Sequence, residues 1–323
     1  MRNVSCLSAA ILFVSVAVRA EGADAIKLTR LGLHEGAVLA AAVDAKGQTA
    51  ITGGMDRRLI VWDLKTQRQK TRGFEHPEEV TAIAMSDDPD LIYTACGDRQ
   101  LRECKLSQGN ITRGIAGHDK RVFGIAAPAG DPFLYAVDAD GQLRGWKKQG
   151  GQSPLILAKD RRPLHAICPD AAGKFLFIGG EDRRITKASR TEGGPSVDFT
   201  GSQDTVHAFV LTADGDQLLS AGSDKMVRLW DVRSGTEVRR WEGYGDRIYA
   251  LAVVGDRVFV GGPNGVLAAW DYKRNTAIAQ TKMLAGVLSA ASNPQGNVAV
   301  IGLADGSVWI AQLAEGPADV GSG

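Results

Sequence analysis

Short apolar runs of five to seven residues recur along almost the whole chain, each closed by a turn rich in Gly, Asp or Asn. The clearest are VLAAAV, VTAIAM, VFGIAA, LHAICP, VHAFVL, IYALAV and VLSAAS, beginning at Val38, Val80, Val122, Leu164, Val206, Ile248 and Val287. Their third residue is always tiny: Ala40, Ala82, Gly124, Ala166, Ala208, Ala250 and Ser289. A strand that needs a small side chain once per repeat is crowded there, as on the inner wall of a closed ring. After each run comes a turn such as Asp44–Gln48 or Ala213–Gln217, then a second strand with a Gly-rich end, then a third strand. A more variable outer strand leads into the next repeat. Outside the first twenty residues no 3.6-residue apolar period is sustained, so the pattern predicts an all-β fold.

A second ladder shares this register. LIVWD at Leu59–Asp63, VRLWD at Val227–Asp231 and LAAWD at Leu267–Asp271 each follow an acid or amide placed six residues before the tryptophan. Extending that register marks third-strand turns at Asp56, Asp98, Asp140, Asp182, Asp224, Asn264 and Asp305, with spacings of 42, 42, 42, 42, 40 and 41. A fixed period of this length is the signature of a repeat architecture. Strand–turn–strand units of about 42 residues ending in Trp-Asp resemble the WD40 family of β-propellers.

The resemblance covers residues 26–314 and implies seven four-stranded antiparallel blades around a channel. Repeat seven ends after its third strand, at Ala311–Leu313, while Ala25–Leu33 supplies a lone outer strand ahead of repeat one. The family closes its ring by pairing such strands, which removes two exposed sheet edges. It also implies a hydrogen-bonded His, Ser/Thr, Asp and Trp in many blades. Repeat one has all four, as His34, Thr52, Asp56 and Trp62. Repeat two has His76, Thr94 and Asp98 but Cys104. Repeat three has His118, Asp140 and Trp146 but Ala136. Repeat five has Ser202, Ser220, Asp224 and Trp230. These residues are expected to glue blades together, and the histidines among them are not expected to be metal ligands or bases. If Thr94 faces Cys104, then Cys96 faces Arg102, and Cys96, Cys104 and Cys168 are expected as free thiols.

The N-terminus changes the picture. Met1–Ala20 combines Arg2, an apolar run from Val4 to Val18, and a small-x-small ending at Val18-Arg19-Ala20. This reads as a secretory signal peptide, its apolar run short of the roughly 20 residues that span a bilayer, with an uncleaved membrane anchor as the alternative. The organisation expected is therefore a signal over 1–20, a propeller over 21–314 and a disordered tail over 315–323. With 38 Lys and Arg against 37 Asp and Glu, the net charge of +1 gives no general pull toward nucleic acid. Glycine, at 39 residues, is enriched to roughly 12% and spread evenly, as a turn-rich chain requires. CxxC, HExxH, GxSxG and GxxxxGK[ST] motifs are absent, so neither a cofactor nor a metal is expected.

In the family, the residue after each strand-one anchor lines the channel mouth. Here those residues are Leu39, Thr81, Phe123, His165, His207, Tyr249 and Leu288. Four consecutive blades thus present Phe123, His165, His207 and Tyr249, with Arg121 and Arg247 flanking them and Glu181 close by. Aromatics beside arginines have the composition of interface hot spots. His165 and His207 on neighbouring blades also raise a two-histidine metal site, short of a third ligand apart from Glu181. Arg57, Arg99, Arg183 and Lys225, which follow the turn acids, read as a solvated rim. The expectation is an exported, bacterial-type, non-catalytic scaffold of the periplasm or cell exterior, holding an extended partner segment with an acidic or apolar anchor. The alternative is a propeller enzyme or small-ligand binder using the channel mouth. The oligomeric state is open.

Overall fold

A computed structural model describes residues 15–17, 26–115, 117–150, 153–159, 162–242, 245–293 and 298–313. Strands are joined by antiparallel pairing into seven sheets, and the described residues contain no helix. Blade 1 is Val38–Val43, Thr49–Gly54, Arg58–Asp63 and Arg68–Glu75, in that order from the channel outward. Blades 2 to 6 repeat this order. Their inner strands are Val80–Met85, Val122–Ala126, Leu164–Pro169, Val206–Leu211 and Ala250–Val254. Blade 7 is built from Val287–Ser292, Ala299–Leu303, Ser307–Leu313 and the N-terminal strand Ile26–Leu33. Pairing of Ile26 with Leu313 and of Leu33 with Ser307 closes the ring. The expected seven-bladed fold and its closure are therefore observed. A further three-residue strand, Ser15–Ala17, pairs outside blade 7 with Lys27–Thr29. The rest of the signal assignment, its cleavage point and the tail assignment lie outside the described residues.

The hydrophobic core is a set of layers between blades. On the third strand of blade 1, Ile60 and Trp62 face blade 7, packing with Val300 and Val308. The alternate residues Leu59 and Val61 face blade 2, packing with Val80 and Ile92. This alternation is the two-residue period of a strand buried on both faces. The tiny third residue of the inner strand is explained by the same layers: a Cβ on Gly124 would lie 2.9 Å from Ile167 of the next blade.

The ladder of acids is turn chemistry. A side-chain oxygen of Asp56, Asp98, Asp182, Asp224, Asn264 and Asp305 accepts the amide two residues on, at 3.0–3.2 Å. The intervening residue is left-handed: φ is 65° at Arg57, 70° at Arg99, 65° at Arg183 and 67° at Lys225, with Gly141, Gly265 and Gly306 in the other three blades. Asx-type bonds fix such turns locally. Two of the rim bases also reach the following loop, Arg99 to the Asp119 carbonyl and Lys225 to the Gly245 carbonyl, both at 3.3 Å.

Blade 1 forms the full tetrad. The Asp56 carboxylate can only accept, so His34 Nδ1–H donates to it at 2.9 Å. His34 Nε2 then accepts from Thr52 at 2.8 Å, and Trp62 Nε1–H donates to Thr52 Oγ1 at 2.7 Å. Blade 5 keeps the Trp230 to Ser220 bond at 2.8 Å. Blades 2 and 3 depart from expectation. Asp98 is drawn to the buried Arg102 guanidinium, leaving His76 bonded to Thr94 at 2.9 Å with its Nδ1 unpartnered. In blade 3 the partner of His118 is Asp138, at 2.8 Å, and Asp140 takes no part in the glue. Asp138 also accepts the Asp140 and Gln142 amides, at 2.9 and 3.0 Å, the turn role that the other blades give to their anchor acid.

The cysteine register is also corrected. Thr94 faces Arg102 and Ile92 faces Cys104. Cys96, Cys104 and Cys168 are free thiols, and burial pushes Cys104 and Cys168 up to about 12.

Ala136 leaves a gap where blades 1, 2 and 5 have the hydroxyls of Thr52, Thr94 and Ser220. His118 Nε2 and Trp146 Nε1 are both buried without a partner, their rings 4.7 Å apart. A hydroxyl here satisfies both atoms, as Thr52 does in blade 1. Ala136→Ser is expected to stabilise the fold by about 1 kcal/mol, read as a raised midpoint in urea unfolding.

Candidate functional site at the channel mouth

A recurrent backbone irregularity aims the mouth residues. In blades 1 to 5 and 7 the pairing of the first two strands slips between the anchor and the tiny residue: Val38/Ala40, Val80/Ala82, Val122/Gly124, Leu164/Ala166, Val206/Ala208 and Val287/Ser289. Blade 6 reaches a similar arrangement before its strand begins, two residues later than expected. Tyr249 N bonds the Gly261 carbonyl, and Ala250 pairs with the same glycine. The skipped residue is the one after each anchor. A β-bulge leaves it out of the ladder and re-aims its side chain. All seven mouth residues thereby line one cavity of about 200 Å³.

Four of them form an unbroken series of rings. Centroids lie 4.6 Å apart for Phe123–His165, 5.4 Å for His165–His207 and 4.8 Å for His207–Tyr249. The last two contacts are edge-on, the arrangement that ring quadrupoles favour. Arg121 lies 5.8 Å over the Phe123 ring and also pairs with Glu79 at 3.1 Å. Arg247 stands exposed at the other end, next to the Tyr249 hydroxyl. Glu181 Oε1 is 3.6 Å from His165 Nε2, and His207 Nε2 bonds Ser223 Oγ at 2.8 Å.

Burial lowers the pKa of both mouth histidines. For His165 the nearby Glu181 opposes the shift. For His207 burial acts together with His165 and Arg247, and the value falls to about 4. The rings are therefore neutral near pH 7, and the arc is a half-buried, apolar-edged surface with Arg121 and Arg247 at its ends and Glu181 beside His165. The register brought the seven residues together and placed Glu79 beside them, but not the pairing of Glu79 with Arg121 or of Ser223 with His207. It also missed Arg102, Arg144 and Arg228, buried near this face at the fourth position after three of the turn acids. Their signal was an arginine where other repeats carry Ile60, Ala268 or Trp309.

Fold and repeats define the class: a seven-bladed β-propeller, three stretches of which are similar to WD40 repeats. The family model described as "WD domain, G-beta repeat" matches residues 26–63, 68–102 and 193–231. The chain is 29% identical over 85 residues to human Transducin-like enhancer protein 6, which is 26% of this chain and 15% of that protein. It is 28% identical over 92 residues to Ribosomal RNA-processing protein 9 of Saccharomyces cerevisiae, 26% of this chain and 15% of that one. An uncharacterised WD repeat-containing protein of Schizosaccharomyces pombe is 25% identical over 91 residues, 28% of this chain and 17% of its own. The match thus spans about a sixth of each relative. All three are eukaryotic, and they lend no support to a bacterial-type, exported member. Propellers of this repeat family generally act as scaffolds for protein interaction.

Proposed function

We propose that this chain is a non-catalytic interaction scaffold that holds an extended segment of a partner protein across the channel mouth. The observation that carries it is the unbroken series Phe123–His165–His207–Tyr249, presented by four adjacent blades on a rigid ring. Neutral rings already packed on one another lose little side-chain freedom on binding, which is what a binding hot spot requires. Because Arg121 is neutralised by Glu79, the arc favours an apolar anchor over an acidic one, with Arg247 left to meet a carboxylate at the rim. The N-terminal pattern supports export, and the place of action we assign is the periplasm or cell exterior.

The test is capture from an envelope extract on immobilised protein of residues 21–323, beside a variant with all four ring residues changed to alanine. A partner retained by the first and lost at least about tenfold by the second is the expected result. Equal capture by a folded variant overturns the mouth assignment.

A further inference from the structure

A larger depression, of about 870 Å³, lies between blades 2 and 3 on the face opposite the mouth. That volume is within the range of small-ligand sites, roughly 300–1,000 Å³. Its floor is apolar, from Leu91 and Phe133, and its two walls carry opposite charge: Asp87 and Asp88 on blade 2, Lys147 and Lys148 on blade 3. Both ends are tied. Gly130 N donates to Asp87 Oδ2 at 2.7 Å, and the Arg113 guanidinium donates to the Lys148 carbonyl. The depression is thus a framed groove between two blades.

Most charge around the groove is already used. Glu103 pairs with Arg113 at 2.9 Å, and Asp131 pairs with Arg190. Lys148 Nζ donates to the Pro128 carbonyl at 2.9 Å and lies in the field of Asp87. The Asp88 carboxylate accepts only the Asp90 amide, at 2.9 Å, and neither it nor Lys147 has an ionic partner among the described residues. On the floor, the Tyr93 ring is buried while its hydroxyl reaches the groove and has no hydrogen-bond partner among the described residues. Burial, reinforced by Glu103, raises its pKa, so it stays a neutral donor and acceptor. A hydroxyl that opens onto a groove and has no protein partner is free to bond a ligand atom.

We propose that this groove is a second binding site, for an extended segment of a partner polypeptide. An apolar side chain lies against Phe133 and Leu91, a cationic side chain faces Asp88, an anionic one faces Lys147, and a backbone amide meets the Tyr93 hydroxyl. Walls of opposite sign on either side of an apolar floor match a peptide with a charge of each sign flanking an apolar residue. The site does not depend on the mouth assignment. Because it uses the other face, one ring can hold two partners at once.

The probe is acetyl-Lys-Phe-Asp-amide, followed by saturation-transfer NMR on the full chain, with acetyl-Lys-Phe-Lys-amide and free phenylalanine as comparisons. We expect saturable binding of the first with transfer concentrated on its ring, and about tenfold weaker binding of the second. Lys147→Glu, at an exposed position that does not endanger the fold, is expected to invert that order. Tyr93→Phe is expected to weaken the first probe about fivefold, with the melting temperature checked in parallel. Absence of saturable binding overturns the proposal, as does an unchanged order in Lys147→Glu. Tighter binding of free phenylalanine than of the capped peptide overturns it in favour of a small zwitterion.

Discussion

Replacing Arg228 with alanine is expected to cost about 3–5 kcal/mol, the range for breaking a buried ion pair from one side. Arg228 is 1% exposed and lies between blades 4 and 5. Its Nη1 donates to Asp224 at 2.6 Å, and its Nε lies 3.2 Å from Glu237, out of line for a hydrogen bond. Without the guanidinium both carboxylates remain, Asp224 nearly buried and Glu237 mostly so. Asp224 would also be left holding the Met226 turn amide with its charge unbalanced. The check is urea unfolding of the folded variant. Arg240→Ala is the control: Arg240 Nε meets the same Glu237 at 2.6 Å, but its side chain is half-exposed, so its loss is expected to cost under about 1 kcal/mol. Equal effects from the two variants would mean that burial does not set the value of these pairs.

Arg228 also marks where the sequence stops being legible. The strand ladder and the blade count follow from spacing, because each is an apolar or turn-chemical requirement repeated seven times, while the closing strand was implied by the family resemblance. A feature that occurs once per repeat averages out chance. The blade glue does not repeat in this way. In blade 5 the His position is Ser202, and the turn acid bonds a buried guanidinium instead. In blade 2 histidine and arginine are both present, and the arginine wins the acid: a carboxylate between a neutral imidazole and a guanidinium makes its stronger bonds to the permanent charge. Burial lowers His76 to about 4, with Arg102 adding to the shift, which agrees with a ring that has lost its acid. No pattern of single residues reports that competition, since each member occupies its expected place.

The mouth was legible for a different reason. Its residues sit at one fixed offset from the anchors, so the register together with the family resemblance named them. Why they point inward was not legible, because the bulge that aims them leaves no mark beyond the tiny residue that follows it. The groove between blades 2 and 3 was invisible to the repeat altogether. It is built from strand ends and connecting loops of two blades, and its distinguishing feature, acids on one side and lysines on the other, comes from residues that lie at no common repeat offset.

Asp138 separates the two kinds of reading most sharply. The repeat spacing makes Asp140 the anchor of blade 3, while hydrogen bonding gives the work to Asp138, at a position where blades 1, 4, 5 and 6 carry Gly54, Gly180, Gly222 and Gly262. An acid in place of that glycine was the available signal. Asp138 and His118 are both without exposed side-chain surface. Asp138→Ala strips His118 Nδ1 and the Asp140 and Gln142 amides of their acceptor, beside a His118 Nε2 that already has none. The expected loss is about 3–4 kcal/mol in urea unfolding, and Asp140→Ala is expected to stay within about 0.5 kcal/mol of the parent. The pH dependence carries the same sign. Burial works to raise the Asp138 carboxyl, but the bonds from His118 and the turn amides outweigh it and hold its pKa below the ordinary value. Its stabilisation is therefore present in full above about pH 4, the ordinary carboxyl range, and fades as the pH falls through the folded value. The parent should lose stability more steeply than Asp138→Ala across that acid window. If Asp140→Ala proves the costlier change, the repeat register, and not the bond network, governs blade 3.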